Sequence, residues 1–188
     1  MMQLNKYIEN NPHASEDKQN DYIKKEIEKK YKINLLGSYS VQQYSYPELN
    51  PEEQKLFNEN PVKGLKALYE GKKAIDEAIN RYQSWSLHNG NGDAFRHAYW
   101  NVLMVKHIDY DWAYRWATAH EEGALDQPPL EKEMDLYNNL VGRVIGNNNK
   151  TKSDADLADI IQTSVRNGEM KRIVNDRLVP INREGGKM

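Results

Sequence analysis

Between Asp93 and Ile108 the chain reads DAFRHAYWNVLMVKHI, and this stretch constrains the fold more than any other. At 100° per residue, Asp93, His97 and Asn101 fall within an arc of about 80° on one helix face. Trp100, Met104 and Ile108 share that arc, while Phe95, Ala98, Tyr99 and Val102 make the opposite side apolar too. A helix apolar nearly all round has to be covered on every side, which predicts a central helix packed within others. The polar trio is then carried into the interior, where polar groups must be paired or bound to an ion.

The surrounding sequence supplies those other helices. From Ser15, Tyr22, Ile23, Ile27 and Tyr31 recur at helical spacing up to Gly37, and Gly37 to Pro47 reads as extended chain or loop. Asn50-Pro51-Glu52-Glu53 has an N-cap, a proline at the first helical position and a Glu that closes a capping box. Asn60-Pro61 restarts the chain into a long amphipathic helix marked by Leu65, Leu68, Ile75, Ile79 and Tyr82. His88 to Gly92 reads as a loop, with Asp93 as the cap of the helix Ala94 to about His107. Helices over about Asp111–Glu122 and Leu130–Ile145 follow, the latter stopping at Gly146, with Asn147 to Asn149 as linker. Ser153 and Asp156 start another, with Leu157, Ile160, Ile161 and Val165 inward and a stop at Gly168. Met170 to Ile181 reads as a hairpin around Asn175-Asp176-Arg177 or as a frayed helix. The expected fold class is all-α, a mainly helical single domain, with a short C-terminal β-hairpin only where Met170 to Ile181 takes the first of those two forms. Residues 1–49 form an N-terminal helix and loop, and residues 50–188 a helical domain carrying the polar site.

Composition narrows the chemistry. At 188 residues the chain suits one domain with a core, and 12 Tyr and 4 Trp offset a hydrophobic fraction of 38%. There is no cysteine, which removes disulfides, thiolate metal sites and cysteine catalysis. The formal net charge of -2 gives no global field for nucleic acid. Lys24, Lys25, Lys29, Lys30 and Lys32 alternate with Glu26 and Glu28, the pattern of a solvated face, so nucleic acid is not an expected partner. The run Val102 to Val105 is too short to span a bilayer, and Met1 to Asn11 lacks the apolar stretch of a secretory signal. The chain is therefore expected in the cytoplasm, or exported as part of a larger protein.

Three consecutive helices each offer acids with His or Asn beside an apolar face. His97 and Asn101 stand on the central helix, His120 and Glu121 near the end of the next, and Asp135, Asn138 and Asn139 along the third. Gly142 removes a side chain on that third helix, so a backbone or ligand can approach closely. Arg143 lies farther round the same helix. Each residue also has a structural reading. Asp93 can serve as a helix cap, His97 as a satisfied core histidine, and His120 and its two Glu neighbours as solvated helix-end chemistry. Asp135, Asn138 and Asn139 can tie helices together, and Arg96 and Arg143 can neutralise buried carboxylates. His13, His88 and His107 read as loop or surface residues. The joint occurrence favours a functional site.

The segments GDAFRHAYWNVLM (Gly92 to Met104), AHEEG (Ala119 to Gly123) and PLEKEMDLYNNLVGRVIG (Pro129 to Gly146), with the lead-in NPEEQKLFNENPVKGLKAL (Asn50 to Leu68), resemble a bacterial helical domain of uncharacterised activity. That domain occurs at the C-terminal ends of wall-associated, Rhs-type and other polymorphic-toxin-like proteins, and sometimes alone. The resemblance covers roughly residues 50–178 and marks Asp93, Arg96, His97, Trp100, Asn101, His120, Glu121, Asp135, Asn138, Asn139 and Arg143 as characteristic positions. It brings no reaction with it. A toxin context implies an immunity protein as partner.

The residues themselves point first to a hydrolase acting on a phosphoester or lipid-like substrate. His97, His120, Glu121 and Asp135 are the candidate catalytic groups, able to hold a metal or to form a His base oriented by an acid. Arg96, Trp100, Asn101, Asn138, Asn139 and Arg143 are the candidate substrate-binding groups. Asp93, His97, His120, Glu121 and Asp135 are the candidate ligands of a divalent metal ion. The alternative to the metal is direct neutralisation by Arg96 or Arg143. No HExxH pattern supports a zinc peptidase and no nucleophile elbow supports serine catalysis. The competing function is a non-catalytic module that binds an ion or partner, or whose polar core fixes helix packing. A concave, open site favours the first reading, and a sealed one the second.

Overall fold

The side chain of Asn50 joins the end of one helix to the start of another. In a computed structural model, which describes residues 7, 10–15, 17–19, 21, 22, 25, 49–182, 185 and 186, its Oδ1 accepts from the backbone N–H groups of Glu52 and Glu53. This caps α1 (Pro51–Glu59), and Glu53 closes the predicted capping box by accepting from the Asn50 N–H at 2.9 Å. The Asn50 amide donates in the other direction, to the carbonyls of Ala119 and His120 in the last turn of α4 (Tyr110–Gly123). One amide thus serves two helix termini that would otherwise leave backbone groups unpaired. Of the helix expected from Ser15, residues 17–19, 21, 22 and 25 are helical; its other positions beyond Ser15, and the extended stretch Gly37 to Pro47, lie outside the described residues.

The fold is mainly α-helical, as the periodicity predicts. α2 (Pro61–Arg81) follows α1, and a 3-10 turn (Ser84–Ser86) leads to α3 (Asn91–His107), which packs against α2, α4, α5 (Pro129–Asn148) and α6 (Asp154–Arg166). Every residue of α3 from Asn91 to Val105 except Arg96 is buried. Its Phe95, Leu103 and Met104 are fully buried, as are Trp116, Met134, Leu157 and Ile161 from the other helices. Burial of each such side chain is worth about 1.5–3 kcal/mol.

Two boundaries and one buried face differ from expectation for local reasons. α3 starts at Asn91 with Gly90 as its N-cap, and Asp93 sits in the first turn, where its Oδ2 accepts from the Asn89 N–H at 2.7 Å. α5 runs past Gly146 to Asn148, because Gly146 is a packing glycine: a Cβ there would lie 3.0 Å from the Val102 Cα. α2 buries Gly64, Ala67, Ala74 and Ala78, and leaves Ile75 and Ile79 exposed, so small residues rather than the large aliphatics face α3.

The C-terminal segment is the hairpin and not the helix. β1 (Lys171–Val174) pairs antiparallel with β2 (Arg177–Pro180), with Val174 opposite Arg177. Asn175 and Asp176 turn it with φ of 49° and 55°, the two positive angles of a type I′ turn. Ile173 donates to the Asn89 carbonyl, which ties the hairpin to the loop before α3.

α3 and α5 meet in direct backbone contact. A Cβ on Gly142 would stand 2.2 Å from the Ala98 carbonyl oxygen and 2.7 Å from its Cα, both backbone atoms that cannot rotate aside. Gly142→Ala is expected to cost about 3 kcal/mol, lowering Tm by roughly 6–12 °C for a domain of this size. Gly186→Ala, where a Cβ meets nothing within 4 Å, should change Tm little. Thermal unfolding followed by circular dichroism checks both.

Candidate functional site

The α3–α5 contact places the polar faces of the two helices together, and α4 closes the third side. His97 is 2% exposed. Its Nε2 lies 3.4 Å from Asp93 Oδ1 on the same helix and 3.2 Å from Asp135 Oδ1 on α5. Its Nδ1 faces Glu121 Oε1 on α4 at 3.4 Å. Three carboxylates from three helices therefore surround one imidazole. Cationic compensation comes from Arg96, which donates to Asp93 Oδ1 from Nη2 at 2.6 Å and from Nε at 3.2 Å. The same Nη2 is 2.7 Å from His97 Nε2.

A chain of amides holds Glu121 from the far side. Arg143 donates to Asn101 Oδ1 at 3.0 Å, Asn101 to Asn139 Oδ1 at 2.7 Å, and Asn139 to Glu121 Oε1 at 3.1 Å. Asn101 also donates to the His97 carbonyl. Gln127, in the loop between α4 and α5, donates to Asp135 Oδ2 at 2.7 Å and to Glu121 Oε2 at 3.3 Å. The network is nonetheless incomplete. Asp135 Oδ1, His97 Nδ1, Gln127 Oε1 and Arg143 Nε are buried and make no hydrogen bond. Native interiors leave few such groups.

The electrostatics follow from that geometry. Burial, the largest influence on His97, and Arg96 both disfavour its charged form, but Asp135, Asp93 and Glu121 outweigh them and raise its pKa to about 9. Burial also raises the Asp135 carboxyl, with the neighbouring Glu121 and Asp93 charges adding to it, to about 6. For Asp93, burial opposes ionisation, yet His97 and Arg96 prevail and hold it well below the usual carboxylate range. Glu121 is also lowered, since His97, His120 and Asn139 together outweigh its burial. His97 has two exclusive states. With Nε2 bare it accepts from Arg96 at 2.7 Å. A proton on Nε2 would face that same guanidinium, so in the charged state Arg96 has to turn away and leave the imidazolium to pair with the carboxylates at 3.2 and 3.4 Å.

The structure thus brings together Asp93, Arg96, His97, Asn101, Glu121, Asp135, Asn139 and Arg143. It does not bring in His120. That imidazole donates from Nδ1 to Glu53 Oε1 at 2.8 Å and meets the Trp100 ring edge-on, with centroids 5.2 Å apart. Among the predicted metal ligands only Asp93, His97 and Asp135 offer atoms that all lie within 4.8 Å of one another; Glu121 faces the other ring nitrogen. Trp100 donates to the Ala67 carbonyl on α2 and anchors packing there. Asn138 is committed to the hairpin: its amide donates to the Lys171 carbonyl at 2.9 Å, and its Oδ1 accepts from the Lys171 N–H at 3.0 Å.

One participant in the cluster, Gln127, and the partner of His120, Glu53, had no signal of these roles in the sequence. Gln127 lies in an irregular loop without periodicity to mark it. Glu53 was visible as a capping-box residue, and its second oxygen turned toward His120 had no separate signal. A second grouping, Glu70, His107 and Asp154, also gathers potential ligands, but Lys73 and Lys106 lie 2.5 and 2.6 Å from the Asp154 carboxylate and neutralise it. The site is closed: Asp93, Glu121, Asn101, Asn139 and Asp135 are all buried, and Arg96, with its side chain 30% exposed, forms the rim. No helix is long and apolar enough to cross a membrane among the described residues.

Residues 54–169 match a protein family described as a domain of unknown function. No curated protein and no solved structure matches the chain.

The charge balance makes stability depend on pH. His97 has a folded pKa near 9 against an ordinary value of 6.5, so its contribution is fully present below pH 6.5 and is lost as pH rises through 9. Asp135 acts in the same direction at lower pH, since a folded value near 6 against 3.8 favours the protonated native state below about pH 6. In chelator, urea unfolding should lose on the order of 3 kcal/mol between pH 6.5 and 9.5 in the wild type. His97→Gln should remove that slope.

Proposed function

The chain belongs to the DUF6973 family, and we propose that it is a hydrolase of bacterial toxin type, acting on a phosphoester or lipid-like substrate, with His97 at the centre of its site. The observation that carries this reading is Asp135 Oδ1, a buried carboxylate oxygen that makes no hydrogen bond although an imidazole nitrogen lies 3.2 Å away. A network kept only for packing gains nothing from an orphaned buried acceptor, which costs about 1–3 kcal/mol. An acceptor beside an imidazole is what proton transfer from water requires.

Hydrolysis puts a water oxygen on the phosphorus or carbonyl carbon, breaks the ester bond and returns the water proton to the leaving oxygen. The His97–Asp135 pair supplies groups to take up that proton and deliver it. Arg96, between the cluster and solvent, is the group suited to an anionic substrate oxygen. Asn101, Asn139 and Arg143 act behind it, fixing Glu121 and through it the imidazole. Substrate entry requires the loop carrying Gln127 to move, because its amide bridges Glu121 and Asp135. As a toxin, the domain would work where a larger carrier delivers it and would be paired with an immunity protein.

The second reading is a non-catalytic helical module, whose polar core binds an ion or partner or fixes packing. The closed environment of His97 favours it. The two readings separate in one experiment. Hydrolysis is measured on an activated phosphodiester and on phospholipid vesicles, for wild type and variants that keep wild-type circular dichroism. The hydrolase reading expects turnover that falls about 10²–10⁴-fold in His97→Gln and in Asp135→Asn, and less than tenfold in His120→Gln. Absence of turnover on both substrate classes, in a folded chain that is also harmless when expressed in bacteria, favours the module.

A further inference from the structure

We propose that the cluster binds one divalent metal ion between Asp93, His97 and Asp135, and that the ion enters by displacing the Arg96 guanidinium. The inference concerns the site read above as hydrolytic, but binding does not depend on turnover.

Spacing is the first argument. A first-row divalent ion about 2.0–2.2 Å from each ligand sets ligand atoms about 3.0–3.4 Å apart, the edges of an octahedron or tetrahedron. His97 Nε2 lies 3.2 Å from Asp135 Oδ1 and 3.4 Å from Asp93 Oδ1. The donors come from two helices whose relative position is set by backbone contact at Gly142, so the spacing does not rest on a flexible loop.

The unused donor is the second argument. Asp135 Oδ1 points into this space, its side chain is only 7% exposed, and it has no hydrogen-bond partner. Arg96 Nη2 touches two of the three ligand atoms, Asp93 Oδ1 at 2.6 Å and His97 Nε2 at 2.7 Å. It stands in for a cation at two corners of the site and leaves the third unserved. Its side chain is 30% exposed and can leave toward solvent without crossing the core.

The outer contacts suit a ligating imidazole. With Nε2 on a metal, the remaining proton sits on Nδ1, which faces Glu121 Oε1 at 3.4 Å, and Asn139 and Gln127 hold that carboxylate in turn. A carboxylate behind a ligating histidine fixes its tautomer and orientation. One imidazole nitrogen and two carboxylates favour Mn2+ or Zn2+ over Ca2+, which takes six to eight oxygens.

The test is titration of the full chain, stripped with chelator, with Mn2+ and with Zn2+ by calorimetry. One ion should bind per chain, more tightly than Ca2+. Asp135→Asn should weaken binding by more than about tenfold, and Arg96→Gln should tighten it by about the same factor. A neutralising role for Arg96 without a metal predicts no tightening. In the wild type, Mn2+ should broaden the ring resonances of His97 ahead of those of His107 and His120, a readout that needs no variant to fold. Absence of binding, unchanged affinity in a folded Asp135→Asn, weaker binding in Arg96→Gln, or first broadening at His107 or His120 would overturn the proposal. Turnover in chelator would leave the hydrolase reading standing without the metal, and binding without turnover would do the reverse.

Discussion

His97 sits inside a helical bundle with carboxylates of three helices 3.2–3.4 Å from its two ring nitrogens. Like charges in a low-dielectric interior repel strongly, and each buried carboxylate requires a positive partner or a proton. Arg96 serves Asp93, and the Asn101–Asn139 relay brings Glu121 within reach of Arg143 only indirectly. Asp135 is left to His97. The remaining cation at the centre has to be a proton on the imidazole or an ion in its place, and the chemistry proposed for the site follows from that requirement.

The rest of the molecule holds this arrangement rigid. Gly142 and Gly146 let α5 lie against the α3 backbone, and that approach sets the distance between the His97 and Asp135 side chains. Asn50 binds the start of α1 to the end of α4, fixing the helix from which Glu121 projects. Asn138 imitates a strand partner for Lys171 and ties the hairpin to α5. The irregular elements at the cluster are the loop carrying Gln127 and the loop before α3, whose Asn89 N–H reaches Asp93 Oδ2. Rigid elements position the charges, and the Gln127 loop and the Arg96 side chain are the parts able to move.

Much of this was legible in the sequence, for physical reasons that differ by residue. The all-round apolarity of the Asp93–Ile108 stretch required burial of that helix, and therefore of His97 and Asn101. The Asp135–Asn139–Gly142 strip was readable because helical periodicity places those residues on one face. His120 was expected in the cluster because it shares a helix face with the buried Ala113, Trp116 and Ala117, but that face is turned to other parts of the core. Successive residues on a helix are 100° apart, and that rotation carries His120 toward Trp100 and Glu53 while Glu121 faces inward. The burial of Ala67, Ala74 and Ala78 in place of Ile75 and Ile79 was hidden because close packing selects for small side chains, which carry little hydrophobic signal. Gln127 was invisible, since a loop residue has no period to betray its direction.

The protonation state of His97 is the most direct measure of the central charge imbalance. Nitrogen-15 shifts of its two ring nitrogens can be followed from pH 5 to 10 in chelator on selectively labelled protein. Surrounding carboxylates that outweigh burial keep both nitrogens protonated through neutral pH, with titration near 9. A ring that is neutral at pH 7 and titrates at or below 6.5 would show that Arg96 and the amide network already balance the carboxylates, and would contradict the account.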